Sequence, residues 1–241
     1  SLPLATSPDA ITDVKFERRF YEMEADRWSK LKKKATDHGV TPTSLLISAF
    51  SEVLALWCQS PHFTLNLTNY SRHPFHDDAE YIVGDFTSLT LLEIHSDAGK
   101  SFIENAETIQ KRLWQDLDNR YVSAVHVLRE MGKRRNGRVS MPIVFTSTLG
   151  GRALEHEQGA DDLGEEVFGV SQTSQVWLDH QVMEWQGKLR FNWDVVEALF
   201  PEGMIQAMFD VYCDYIERLV DDSRAWRQNP LDHLLPQKDA N

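Results

Sequence analysis

Residues 175–195 read QVWLDHQVMEWQGKLRFNWDV, two segments of alternating character joined by Gln186-Gly187. Alternation of polar and apolar residues is typical of a β-strand with one buried face, and a Gln-Gly pair suits a tight hairpin turn. In the first segment Asp179 shares a face with Trp177 and Met183. The stretch therefore predicts a β-hairpin that carries a carboxylate on its first strand.

Two earlier stretches alternate in the same way. FTLNLTN at 63–69 places Asn66 on a polar face, and PIVFTSTLG at 142–150 places Thr146 on one. A further strand is predicted over 12–21 and a loop over the acidic stretch 155–166. Helical spacing predicts helices over 25–37, from Pro42 to Trp57, over 100–119, over 122–135 and after Pro201. Strands in separate blocks between helices predict an α/β fold, a mixed sheet layered with helices.

The composition is that of a globular chain. Of 241 residues, 41% are hydrophobic and 26% charged, which suffices for a single domain over residues 1–241. No apolar run is long enough to span a bilayer, and the start lacks the basic and apolar regions of a secretory signal. The net charge of −12 argues against nucleic-acid and membrane partners. Two cysteines, Cys58 and Cys213, provide no disulfide framework, so we expect a cytoplasmic location.

Asp179 is the first candidate for chemistry. In a partly apolar cavity, desolvation would raise its pKa from about 3.9 and allow proton transfer near neutral pH. The alternative is an exposed or salt-bridged aspartate with no such role. If the strands of Asn66 and Thr146 neighbour the Asp179 strand, the three side chains converge on one pocket. Thr146 could then hold the Asp179 carboxyl, and Asn66 could bind a carbonyl oxygen.

A second group of polar residues looks like a metal site but is not predicted to be one. His73, His76, Asp77, Asp78 and Asp85 are close in sequence. The two histidines flank Pro74 in a loop without a helix or strand to fix them, so we expect no metal. The chain also lacks the GxSxG, GxGxxG, GxxxxGK[ST] and HExxH signatures, which leaves a proton-transfer pocket as the function that the residues themselves suggest.

The ordered motifs of this chain are similar to those of one known family. They are TPTSLLISAFSEVLALW (41–57), FTLNLTNYSRHPFH (63–76), VGDFTSLTLLEI (83–94), DLDNRYVSAVHVLREM (116–131), PIVFTSTLG (142–150) and SQTSQVWLDHQVMEWQGKLRFNWDVVEALFPEGM (171–204). Together they resemble the core motifs of heterocyclization domains of nonribosomal peptide synthetases, from about residue 3 to about residue 220. VGDFTS and QVWLDHQ are the most characteristic.

The resemblance has two local departures and one large one. Asn119 stands where the family usually has the histidine of DLDH, and Ser174 stands where it usually has proline. Such domains are about twice as long, with an N-terminal lobe carrying DxxxxD in place of the HHxxxDG of ordinary condensation domains; neither motif occurs here. The chain therefore resembles the C-terminal lobe alone, one of two lobes in a fold similar to chloramphenicol acetyltransferase, which we expect to be inactive without its partner lobe.

The resemblance assigns roles to particular residues. Asp179 matches the aspartate of cyclodehydration, Thr146 its threonine partner, and Asn66 an asparagine of the active-site tunnel. Their neighbours in the same motifs, Ser147, Gln175 and Trp177, are expected to line that tunnel. No cofactor is implied in this lobe, because substrates arrive on the phosphopantetheine of carrier proteins.

The implied reaction joins an acyl thioester to the amine of carrier-bound Cys, Ser or Thr, and then closes a thiazoline or oxazoline ring with loss of water. The implied partners are the N-terminal lobe, upstream and downstream peptidyl carrier proteins and an adenylation domain. Two alternatives remain open: a lobe of a condensation-only domain, and a non-catalytic lobe that docks carrier proteins. A free-standing acyltransferase would need the absent HHxxxDG histidine.

Overall fold

A single six-stranded sheet organises the chain. The computed structural model describes residues 2–70, 75–137, 139–150, 169–171 and 173–234. The strands are β1 (Glu17–Met23), β2 (His62–Tyr70), β3 (Thr87–His95), β4 (Ile143–Ser147), β5 (Leu178–Trp185) and β6 (Lys188–Val195). The helices are α1 (Ala25–Asp37), α2 (Pro42–Trp57), α3 (Phe102–Asp118), α4 (Ala124–Arg135), α5 (Met204–Asp221) and α6 (Leu231–Leu234), with short 3₁₀ turns at Pro8–Ala10, Asp77–Tyr81 and Glu197–Leu199.

The strand order is β1-β6-β5-β4-β2-β3. The central strand β4 runs parallel to both β2 and β5, whereas the remaining neighbours are antiparallel. The predicted hairpin is present between β5 and β6, and its turn residues Gln186 and Gly187 both have positive φ, 48° and 77°. That backbone matches the twist of the strands, and glycine adopts it at little cost. The mixed α/β sheet predicted from the sequence is confirmed.

The predicted helices are present within two or three residues of their expected bounds, but the first strand is displaced. We predicted it over 12–21, whereas β1 spans Glu17–Met23. Its partner β6 ends at Val195, opposite Glu17, and the chain then turns through Glu197–Leu199. Residues before Glu17 consequently have no strand to pair with, although their sequence alternates.

The two faces of the sheet differ in character. On one face, Phe145, His180 and Trp193 join the hydrophobic core with Phe50 of α2 and Tyr212 of α5. The opposite face carries polar residues from β2, β4 and β5 and is covered by α4. Among the described helices none is long and apolar enough by itself to cross a membrane; α1 and α2, bent by 94°, pass that test only as a pair.

His180 makes folding stability depend on pH. It is fully buried, its Nε2 lies 3.0 Å from the Tyr212 hydroxyl, and burial lowers its pKa to about 3. The unfolded chain, with a histidine pKa of about 6.5, binds one more proton below that pH, so this residue reduces stability as pH falls. From about pH 7 to about pH 5 we expect the free energy of unfolding to drop by about 2 kcal/mol more in the wild type than in His180→Gln. Urea unfolding at both pH values measures this, and an identical drop would contradict it.

Candidate active site

Three neighbouring strands bring the predicted polar residues together. Asn66 of β2 pairs with Val144 of β4, which pairs with Asp179 of β5. Two residues further along, Thr146 of β4 pairs with Gln181 of β5. Because paired residues of adjacent strands project to the same side, Asn66, Thr146 and Asp179 share one face. The sequence predicts that the three side chains converge only if their strands are neighbours, and in the structure β2, β4 and β5 are neighbours.

This face forms the floor of a cavity of about 760 Å³. Its opposite wall is α4, through Val125, Leu128 and Arg129, and its rim includes Val176. A volume of this size is typical of pockets that enclose small organic ligands. The cavity therefore combines apolar walls with a few polar groups at its floor, as ligand sites do.

Asp179 is the most buried charged group that lines this cavity. Only 5% of its surface is exposed. Gln181 Nε2 donates to its Oδ2 over 2.7 Å, while its Oδ1 is buried without a hydrogen-bond partner among the described residues. Burial raises the pKa of Asp179, the hydrogen bond from Gln181 and weaker ones from Ser171 and Thr146 oppose the rise, and the charge of Asp194 adds to it. A proton on this group would sit on Oδ1, because Oδ2 already accepts from the amide.

Asn66 adds a second unpaired oxygen to the same floor. It is 8% exposed, and its buried Oδ1 has no partner among the residues that the structure describes. A buried amide oxygen without a hydrogen bond costs free energy, and a ligand that donates a hydrogen bond to it would remove that cost. The floor thus presents a carboxyl and an amide whose hydrogen-bonding capacity is not used up within the described chain.

Two of the expected tunnel residues lie elsewhere. Ser147 faces the opposite side of the sheet, where its hydroxyl is 3.2 Å from that of Thr43 on α2; it follows Thr146 directly, and side chains alternate along a strand. Trp177 precedes β5 and packs, half-buried, against the hydrophobic core. Neither lines this cavity, and their assignment to the active-site tunnel stays a prediction. Gln175 does line it, with a positive φ of 71°.

The described members of the histidine–aspartate group near residue 76 make local contacts. His76 Nδ1 accepts from the Asp78 backbone N–H over 3.2 Å in an exposed turn. His73 and the acidic stretch 155–166 lie outside the described residues. Within the described ranges no three histidine, cysteine or acidic side chains are placed to hold a metal ion.

Several residues close to Asp179 are not among the candidates predicted from the sequence. Gln181 donates to Asp179, while Arg18 and Ser171 donate to its cross-strand neighbour Asp194. The position of Asp194 can be predicted from the sequence, because a two-residue turn at Gln186-Gly187 fixes the hairpin register and this register pairs Asp179 with Asp194. The position of Arg18 cannot, because it depends on the pairing of β1 with β6.

A family model described as the condensation domain matches residues 1–231. The chain belongs to the condensation-domain family. It is 38% identical over 227 residues to pyochelin synthetase PchF of Pseudomonas aeruginosa, covering 93% of the chain and 12% of PchF. It is 34% identical over 226 residues to phenyloxazoline synthase MbtB of Mycobacterium sp. (strain MCS), covering 94% of the chain and 19% of MbtB.

Solved condensation-family structures confirm the fold. The EpoB nonribosomal peptide synthetase cyclization-docking bidomain of Sorangium cellulosum superposes with a TM-score of 0.81 at 34% identity, over 94% of this chain and 45% of the bidomain. This condensation-family chain thus spans less than half of that bidomain and about an eighth of PchF. It corresponds to the C-terminal lobe of the family fold, as the resemblance implied.

Proposed function

We propose that this chain contributes one lobe of a heterocyclization domain. Such a domain joins a carrier-bound acyl thioester to carrier-bound Cys, Ser or Thr and then cyclodehydrates the new amide to a thiazoline or oxazoline. The observation that carries the proposal is Asp179, a buried carboxyl of raised pKa at the floor of a cavity, next to Thr146 and Asn66. The names of MbtB, an oxazoline synthase, and EpoB, a cyclization protein, support it.

Ring closure moves two protons. The thiol or hydroxyl attacks the amide carbonyl carbon, its proton passes to a base, and the carbonyl oxygen takes up a proton to become a hydroxyl. That hydroxyl then leaves as water after receiving a second proton, while the amide nitrogen loses its own proton as the C=N bond forms. Water thus carries away the carbonyl oxygen with two protons, and the catalyst ends as it began.

Asp179 is suited to both halves of this sequence. As a carboxylate it accepts a proton, and as an acid it donates one to the departing hydroxyl; a carboxyl with a raised pKa does both near neutral pH. In this proposal Thr146 orients the carboxyl, and Asn66 holds the carbonyl oxygen. Formation of the amide bond itself relies on keeping two tethered substrates close together.

The partners in this proposal are an N-terminal lobe that closes the cavity, two carrier proteins whose phosphopantetheine arms deliver the substrates, and an adenylation domain that supplies the acceptor amino acid. The test uses the complete domain containing this chain, with both carriers loaded and products read by intact mass. A product lighter than the linear amide by one water supports ring formation. Linear amide alone indicates a condensation-only domain, and no product indicates a lobe that only docks carriers.

The strand register yields a matched pair of variants for the same assay. Thr146 faces the cavity and Ser147, the next residue, faces α2. We expect Thr146→Val to slow ring formation by roughly tenfold or more, since it removes a hydroxyl that orients the acid. Ser147→Ala should leave ring formation within about twofold of the wild type. Equal effects of the two variants would contradict the assignment of Thr146.

A further inference from the structure

A second carboxylate lies beside Asp179, on the neighbouring strand and outside the cavity lining. Asp194 of β6 is the cross-strand partner of Asp179 and has no exposed surface. Directly opposite residues in a sheet have Cβ atoms roughly 5 Å apart, so the two carboxyls are close neighbours. A negative charge so close disfavours the ionised form of Asp179 and raises its pKa.

The carboxyls of Asp194 and Asp179 accept hydrogen bonds from different kinds of donor. Arg18 of β1 donates from Nε to Asp194 Oδ1 and from Nη2 to Oδ2, both over 2.7 Å, and the Ser171 backbone N–H donates to Oδ2 over 2.6 Å. Three donors, two of them on a guanidinium, thus hold both carboxyl oxygens of Asp194 in place. Asp179 accepts from neutral groups only: the Gln181 amide donates to its Oδ2 over 2.7 Å, Ser171 and Thr146 add weaker interactions, and its Oδ1 has no close donor in the described chain.

The other groups that face Asp179 add little charge. The floor residues from β2 and β4, Asn66, Val144 and Thr146, are uncharged. The one cation among the described residues of the cavity wall is Arg129 on α4, which is exposed to solvent and therefore screened. Among the described residues, Asp194 is thus the charge that acts on Asp179, and Arg18 holds it through two hydrogen bonds.

We propose that Arg18 and Asp194 are positioning residues that fix a negative charge beside Asp179, so that the single proton of the carboxyl pair stays on Asp179 as the acid for dehydration. Neither residue is among those that line the cavity, so the proposal assigns them no contact with the substrate. This inference rests on the proposed function, because a buried acid at this place serves a reaction that expels water.

Two variants of the complete domain should move the titration in opposite directions. Asp194→Asn removes the negative neighbour and leaves Arg18, so Asp179 loses its proton at a pH lower by about one unit or more. Arg18→Gln removes the cation, so the carboxyl pair keeps its last proton to a higher pH. Arg18→Lys retains the positive charge and should titrate near the wild type. A merely structural role would not produce opposite shifts.

Two readouts separate this inference from the proposed function. The first is infrared titration of the carboxylic-acid C=O band, taken as the difference between each protein and its Asp179→Asn counterpart, which needs no turnover. The second is the pH at which conversion of linear amide to ring falls on the alkaline side, with amide formation as the control for folding. Opposite shifts in both readouts support the proposal.

Shifts that are absent or in the same direction overturn it, even where the wild type makes the ring. If the wild type makes no ring but the infrared shifts are opposite, the carboxyl coupling stands and the assigned reaction fails. If Arg18→Gln does not fold, the comparison of Asp194→Asn with Arg18→Lys decides. We expect the Asp179 titration to shift in Asp194→Asn but not in Arg18→Lys. Equal titrations of these two variants would refute the inference.

Discussion

Replacing Asp179 with asparagine in the complete domain is expected to lower ring formation by about 10²–10⁴-fold while the linear amide continues to form. Asparagine preserves the shape of the side chain but neither donates an acidic proton nor accepts one. Amide formation should persist, because it depends chiefly on holding the two tethered substrates together. Intact-mass analysis of the carrier-bound products distinguishes the two species by one water.

Asp214→Asn is the matched control for this variant. Asp214 is exposed on α5, on the opposite side of the sheet from the cavity, and its substitution should leave both steps unchanged. Ring formation at the wild-type rate in Asp179→Asn would show that the proton is moved by another group. Loss of both amide and ring, with folding intact, would mean that Asp179 serves substrate binding and not proton transfer.

The largest effect on stability is expected from Trp193→Ala. Trp193 is fully buried on the core face of β6, with ring centroids 5.3 Å from Phe50 and from Phe209. Truncation of a buried tryptophan leaves a large cavity and costs about 3–5 kcal/mol. Urea unfolding followed by far-ultraviolet circular dichroism measures the change without relying on tryptophan fluorescence.

Trp114→Ala provides a control of the same residue type. Trp114 is 53% exposed on α3, so its loss should change the free energy of unfolding by no more than about 0.5 kcal/mol. Similar losses of unfolding free energy in the two variants would mean that the core face of the sheet is not tightly packed around Trp193. A small loss in Trp193→Ala alone would indicate that neighbouring rings close the cavity.

The local structure near the site could be predicted from sequence because it depends on alternation and turn chemistry. The β5–β6 hairpin, the faces of Asn66 and Thr146 and the helix starting at Pro42 all follow from spacing within a few residues. Ser147 was assigned to the tunnel from its motif although alternation already placed it on the other face. Trp177 lies before the strand begins, where alternation no longer governs which way a side chain points.

Long-range pairing could not be predicted in the same way. The order β5-β4-β2, which unites the three polar residues, links segments separated by helices and is not encoded by any local pattern. The contact between Arg18 and Asp194 depends on β1 joining the far side of the hairpin. Without that pairing, Arg18 appears in the sequence only as one of two adjacent arginines in an alternating strand.

The pairing of β1 with β6 also affects the order in which Asp179, Asp194 and Arg18 come together as the chain folds. Asp179 and Asp194 meet as soon as the hairpin closes, a short-range event that needs little ordering of the chain. Arg18 must find Asp194 across 176 positions of sequence, and contacts of such separation form late because loop closure costs entropy before it is repaid. The two carboxyls therefore come together early, and Arg18 reaches Asp194 only later, when β1 pairs with β6.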